Sequence, residues 1–533
     1  MGSAGLRKKK SGCVTKIVTA EEAVRLIPDG ATITTGGFCG AGFAEHIAIE
    51  IKKQFLEYGR PCDLTLVYCA GQGDFKTRGL GHLGEEGLVG KIIAAHFGAS
   101  PLLSRFAIEG KIPAYNFPQG VMSQMFRDIA AHKPRTISKV GLHTFVDPRL
   151  EGGKVNHLAA ESLVEVMVID GEEYLAYKTF PIDVAILRGT TADEDGNITM
   201  EREALTLESQ AQAMAARNSG GLVIVQVEQI VQRGTLNAKH VKIPGIMVDA
   251  MVVASSEHHW QTYTERYNPS FSGEAKVPMA QISPLTMSPR KIIARRAALE
   301  LQAGDVVNLG IGMPEGIASV ANEEGILGKL TLTAEPGIIG GMPASGLSFG
   351  ASYNPQAIID QPSQFDFYHG GGLDCTFLGL AQADREGNLN VSKFGPKLAG
   401  AGGFIDISQN AGKVVFAGTF TAGGLDVAIE DGKIAILQEG RSQKFIEAVE
   451  QVTFSGRYAV ERAQYVLFIT ERCVFELTRE GLKLIEIAPG VDLQRDILDQ
   501  MGFIPVLNGT VKIMDQRIFQ PEPMRLSEDF CCM

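Results

Sequence analysis

The sequence predicts an α/β protein of two related halves, each built around a mostly parallel sheet, and three observations carry that prediction. Short β-branched runs alternate with longer segments of helical spacing, the β-type runs are apolar almost throughout, and motifs of one half recur in the other at a constant distance. A strand buried on both faces reads as a continuous apolar run because neither side meets water, and helices must then cover both sides of its sheet.

Taken in order, "ATITTGG" at Ala31, "DLTLVYCAG" at Asp63, "IDVAILRG" at Ile182 and "GLVIVQVEQIV" at Gly221 read as buried strands of the first half. "DVVNLGIG" at Asp305, "LTLTAEPG" at Leu330, "LDCTFLGLAQAD" at Leu373 and "GKVVFAGTF" at Gly412 read as those of the second. Between them, "AEHIAIEIKKQFLEYG" at Ala44 and "PRKIIARRAALELQ" at Pro289 place apolar residues at helical intervals.

The repeat is explicit. Asp183, Leu187, Ala192, Asp193, Gly196 and Asn197 align with Asp374, Leu378, Ala383, Asp384, Gly387 and Asn388 at one shift of 191 (374 − 183 and 388 − 197). "PDGATITTGGFCGAGFAE" matches "QAGDVVNLGIGMPEG" at a different shift, 274 (304 − 30), so the first half carries extra residues between its matched blocks. Two domains are expected, 16–280 and 285–522, joined through the polar, Pro-punctuated stretch that ends near Ser288. A large ligand is expected between them, where strand ends and glycine turns converge.

The 533 residues supply a sizeable core, and 45% hydrophobic with 21% charged residues is ordinary globular composition. A net charge of −11 argues against nucleic acid as a partner. The one basic cluster, Arg7 to Lys10, reads as a solvated tail. Cysteines at 13, 39, 62, 69, 375, 473, 531 and 532 form no CxxC pair, which suits free thiols in a reducing cytoplasm. No apolar run reaches the roughly 18 residues that span a bilayer, and no apolar leader follows the charged N-terminus. The histidines, including His82, His96, His258, His259 and His369, show no ligand spacing, so no metal site is expected.

Three glycine motifs mimic known site signatures and can mislead. "GIGMPEG" from Gly310 has GxGxxxG rather than dinucleotide GxGxxG spacing, so Gly310 and Gly312 read as a turn before a helix that can receive phosphate or carboxylate. "GLSFG" makes Ser348 a candidate nucleophile, but its acid (Asp360 or Asp366) and His369 would be crowded into a short segment. "GAGGF" at Gly400 to Phe404 is either a turn or a nest of N–H groups for a developing anion.

"DGATITTGGFCGAG" at Asp29 and the segment around Glu335 resemble the signatures of family I coenzyme A transferases. "AYNFPQG", "GLHTFVDPR", "QFDFYHGGGLD", "KFGPKLAGAGGF" and "LIEIAPGVDLQRDIL" extend the resemblance over nearly the whole chain. The likeness is to the acetate and propionate CoA-transferases. "AEPG" stands where the 3-oxoacid branch carries Ser-Glu-Asn-Gly, and Ala44 stands where proline is typical, and both departures point away from that branch.

The resemblance implies that Glu335 is the nucleophile and that Gln119 and a backbone N–H of Gly403 stabilise the oxyanions. It places Gly310, Gly312, Gly402, Gly403 and Phe404 against coenzyme A, with the site between the two halves. It implies acyl-CoA and short-chain carboxylic acids as substrates, no tightly bound cofactor, and a homodimer or homotetramer. An ordinary glutamate, of pKa about 4.3, would be ionised at neutral pH without a base. The glycines around Glu335 are expected to let a bulky thioester approach the backbone. Acyl-CoA hydrolysis and non-catalytic acyl-CoA binding are the competing expectations.

Overall fold

The structure is a computed structural model that describes residues 16–278 and 284–530. The basic cluster Arg7 to Lys10, Cys13, Cys531 and Cys532 lie outside the described residues, as do 279–283 in the expected join.

In the first half, Ala250–Val253, Leu222–Val227, Val184–Arg188, Thr32–Thr35, Leu64–Tyr68, Val89–Ala94 and Ala114–Asn116 stand side by side in that spatial order, every neighbouring pair parallel. Both faces of this sheet are covered. Val184 and Ile186 enter one apolar core while Ala185 and Leu187 enter the other, as the period of two dictates. Each strand therefore has to be apolar in both registers.

The main sheet of the second half has ten strands, of which Thr331–Ala334, Val306–Leu309, Cys375–Gly379, Lys413–Ala417 and Tyr465–Ile469 form a parallel centre. Antiparallel strands extend both edges, Ile338–Ile339 and Ala357–Ile358 on one side and Cys473–Thr478 with Gly481–Ile487 on the other. The apolar-run signal does not find these edge strands, since they are short or alternate in burial.

The duplication holds at the level of register. Ile33 lies opposite Val184 and Val307 opposite Cys375, each displaced by the two shifts read in the sequence. The repeated Asp and Asn have the same structural duty in each half. Asp193 accepts from the backbone of Asp195 and Asn197, both at 3.0 Å, and Asp384 accepts from Glu386 and Asn388, again at 3.0 Å. These residues close a turn.

The stretch before the expected join is packed rather than loose. Tyr263 donates to Glu45 at 2.7 Å and Phe271 is fully buried. A fifth apolar cluster ties the halves together, setting Phe38, Leu207 and Phe271 against Ala334, Ile338 and Phe349. No helix among the described residues is long and apolar enough to cross a membrane.

Candidate active site

Glu335 sits at the tip of a tight hairpin. Thr331–Ala334 ends at Ala334, the Gly337 N–H returns to the Ala334 carbonyl at 3.1 Å, and Ile338–Ile339 runs back antiparallel. Gly337, at φ +117°, supplies the turn conformation, and a Cβ there would lie 2.0 Å from the Ile359 carbonyl. A Cβ on Gly340 would strike Gln356, and one on Gly341 the Tyr353 carbonyl at 2.2 Å. The glycines following Glu335 therefore serve the hairpin and its neighbours, which corrects the expectation that they clear a path for the thioester.

A cavity of about 350 Å³ opens beside Glu335, between the two halves. Phe38, Cys39, His96 and Gln119 line it from the first half; Asn308, Glu335, Phe349 and the 399–404 loop line it from the second. Gln119 and Gly403 reach it because two helices start there. Gln119–Ala130 begins at Gln119 and Phe404–Asn410 begins just after Gly403, and the Gln119 N–H donates to the Gly402 carbonyl at 3.0 Å.

Four groups in this cavity are left open among the described residues, His96 Nδ1 being one of them. The Glu335 carboxyl makes no hydrogen bond or ion pair among the described residues, and the buried Gln119 Nε2 has no partner there either. Buried donors without partners are uncommon because desolvating them costs roughly 1–3 kcal/mol, so such a donor facing a cavity points to a ligand atom. In "GAGGF" the N–H groups of Gly400, Ala401, Gly402 and Phe404 are consumed by Ser392, Asn116, Ala95 and Ala401. Only the Gly403 N–H remains free among the described residues, so the nest reduces to one donor. That donor abuts the nucleophile candidate, since a Cβ on Gly403 would lie 2.1 Å from Glu335 Oε2.

The electrostatics differ from the sequence expectation. Burial, followed by the Asp406 carboxylate, pushes the Glu335 carboxyl up to about 8, so it rests mostly protonated at neutral pH. An ordinary glutamate pKa presumes the hydration of a free side chain, which burial reduces here. The Cys39 thiol, pushed up to about 12 by burial and then by Glu335 and Glu315, stays protonated. His96, held down to about 4 by burial, stays uncharged with an unpartnered Nδ1.

Gly310, Gly402, Gly403 and Phe404 line the cavity, whereas Gly312 is exposed and lies outside the lining. The Gly310 N–H is taken by the Phe377 carbonyl at 2.8 Å. The nucleophile elbow is not assembled. Ser348 Oγ bonds the hydroxyls of Thr262 and Thr264, while His369 engages Asp406 at 2.9 Å and Gln124 at 3.1 Å. Asp360 accepts from Thr206 at 2.9 Å and Asp366 from Gln124 at 2.7 Å. His259 is buried beside Glu203 and Gln226, a packing role. Sequence reasoning missed Phe38, His96 and Asp406 as neighbours of the site: Phe38 lies in the "DGATITTGGFCGAG" motif with no signal of its own, His96 and Asp406 lie in none of the quoted motifs, and only the meeting of the halves brings them together.

This arrangement can support acyl transfer, and comparison with known proteins defines the class. The description "Coenzyme A transferase" belongs to the family model matched by residues 17–254. The chain belongs to the coenzyme A transferase family, and its activity is CoA transfer. Caffeate CoA-transferase of Acetobacterium woodii is 51% identical over 95% of this chain and 98% of its own length. The acetate CoA-transferase YdiF of Escherichia coli K12 is 45% identical over 94% of this chain and 95% of its own. A crystal structure of the acyl-CoA transferase YdiF from E. coli O157:H7, described as a thioester complex with CoA, superposes with a TM-score of 0.91 at 44% identity. That alignment covers 96% of this chain and 97% of that one.

Proposed function

We propose that this protein moves coenzyme A from an acyl-CoA to a free monocarboxylic acid of the acetate and propionate type, by ping-pong chemistry through Glu335. The observation that carries this reading is the lone carboxyl of Glu335 facing two unpartnered donors, the Gln119 amide and the Gly403 N–H, inside one cavity. The Glu335 carboxylate attacks the thioester carbonyl, the C–S bond breaks and CoA thiolate leaves a mixed anhydride. The thiolate then attacks the glutamyl carbonyl, releasing the first acid and leaving a glutamyl-CoA thioester. The second acid's carboxylate attacks that thioester, and the returning thiolate takes the new acyl group and restores Glu335. An anhydride retains the activation that a serine ester would dissipate. Gln119 Nε2 and the Gly403 N–H are placed to receive the tetrahedral oxyanions, and Gly310, Gly402 and Phe404 border the thioester. A two-domain division at 16–280 and 285–522, homo-oligomerisation as a dimer or tetramer, and a cytoplasmic location belong to the same reading.

Treatment with acyl-CoA followed by borohydride, with mapping of the modified peptide, tests this. A reduced adduct at Glu335 is expected. Modification at Ser348, or hydrolysis without any adduct, would overturn it.

The pH dependence follows in sign from the raised carboxyl. Only the ionised form attacks, so kcat/KM for acyl-CoA is expected to climb roughly tenfold per pH unit below about 8 and to level off above it. A profile already flat at pH 6 would contradict a protonated resting state.

Among the described residues no lysine or arginine lines the cavity. A second carboxylate on the acid would be buried without a counter-charge, at a cost of several kcal/mol. Succinate is accordingly expected to be at least about 100-fold poorer than propionate in kcat/KM, measured with one labelled acyl-CoA. Aromatic monocarboxylates are the second reading, favoured by Phe38, Phe75 and Phe349 in the lining. The same acid panel, extended to caffeate, ranks the two.

A further inference from the structure

We propose that Asp406 is a positioning residue for Glu335: it fastens the helix that begins at Gln119 to the helix that follows Gly403, and it sets a negative charge one helical turn from the nucleophile's contact at Gly403. The inference rests on the reading of Glu335 as the covalent carrier.

Asp406 is fully buried, the third residue after Gly403. Its Oδ1 accepts the Val121 N–H at 3.3 Å and His369 Nε2 at 2.9 Å, whereas Oδ2 has no partner among the described residues. The helices come this close because Gly120 has no side chain; a Cβ there would lie 2.6 Å from Asp406 Oδ1. One carboxylate thus spans from the helix of Gly403 to the helix of Gln119.

Gln124 Nε2 lies 3.1 Å from His369 Nδ1, and because an amide nitrogen can only donate, Nδ1 is the acceptor there and the proton facing Asp406 sits on Nε2. The titratable groups facing Asp406 are His369, Cys69, Tyr177 and Glu335, and burial keeps Cys69 and Tyr177 protonated. Those facing Glu335 are Asp406, Cys39 and Tyr368, with Glu315 acting on Cys39. Asp406 is the anion among them that adds to burial in opposing the Glu335 carboxylate.

That opposition has a catalytic use. The acyl-glutamyl anhydride and the glutamyl-CoA thioester carry no charge on residue 335, so the field of Asp406 raises the energy of the free carboxylate and leaves the covalent intermediates untouched. The nucleophile becomes more basic and its acylation more favourable, while the tether keeps Gln119 and Gly403 at a fixed spacing.

The test is the rate of CoA loading onto Glu335, by rapid quench with propionyl-CoA as probe, across pH in the wild type, Asp406→Asn and His369→Lys. Asp406→Asn removes the charge. His369→Lys keeps the carboxylate and neutralises it from a position at the C-terminal end of the helix Gln361–His369, where a cation is favourable. In both variants the alkaline-rising limb is expected to move at least about half a pH unit toward acid, further in Asp406→Asn, with a lower plateau. A limb that stays within about 0.2 pH unit of wild type in every variant that folds, judged by thermal melting, overturns the proposal even if the plateau falls. Should Asp406→Asn not fold, His369→Lys decides alone. Absence of any adduct in the wild type would sink the Glu335 reading instead, whereas an adduct with an unmoved limb sinks only this one.

Discussion

Glu335→Gln is expected to abolish CoA transfer, with a loss of at least about 10⁴-fold in kcat, because no other side chain in the cavity can take the acyl group. Cys39 and His96 line the same cavity, but burial holds the thiol protonated and the imidazole uncharged. The substitution should also stabilise the protein at high pH. The folded state binds the Glu335 proton more tightly than the unfolded chain, whose carboxyl titrates at the ordinary value of about 4.3. The stability this provides is full below the ordinary value and is lost as pH rises through about 8, where the carboxylate must be buried. Glutamine escapes that cost. Differential scanning calorimetry is expected to give a higher Tm for Glu335→Gln than for the wild type at about pH 9, with the gap closing toward about pH 5. Glu335→Asp, with the nucleophile drawn back by a methylene, is expected to lose about 10²-fold or more in kcat, and near-normal turnover would count heavily against the mechanism.

Gly403→Ala is expected to be the second most damaging change, for a steric reason. Gly403 sits at φ −83°, a conformation that alanine adopts freely, so the backbone tolerates the substitution. The added Cβ would instead lie 2.1 Å from Glu335 Oε2, and the carboxyl must move away from the Gly403 N–H. An ångström of misplacement costs about 10²-fold, so kcat is expected to fall by that order while thermal stability stays close to wild type. The comparison that isolates the cause is Gly402→Ala. Its Cβ would meet Gln119 Oε1 and His96 at 3.8 Å, ordinary contact, but its φ of +54° strains any L side chain. Melting temperature should fall mainly in Gly402→Ala, and turnover mainly in Gly403→Ala. Equal turnover in Gly403→Ala and wild type would place the reacting carboxyl elsewhere.

Much of the molecule was legible in the sequence because its signals are local. Apolar runs such as "IDVAILRG" mark central strands, since each residue must suit one of two cores. The constant shift between Asp193 and Asp384 marked a duplication, since both close the same turn. Glu335, Gln119 and Gly403 were picked out because each lies in a motif with a recognisable family pattern, and the fold brings all three to one cavity. Gly312 shared such a motif and lies outside it, since a glycine turn specifies a local conformation and not what that turn faces.

The amino-acid sequence by itself determined the two mostly parallel sheets and their relationship, and it singled out the carboxyl proposed to carry the chemistry, because strand pattern, repeat and motif are properties of neighbouring residues. Only the tertiary structure decided the state of that carboxyl. Its protonation depends on what surrounds it, namely walls contributed by both halves and the charge of Asp406, distant from Glu335 in sequence. Desolvation and Coulomb fields act through space, so no reading along the chain reports them.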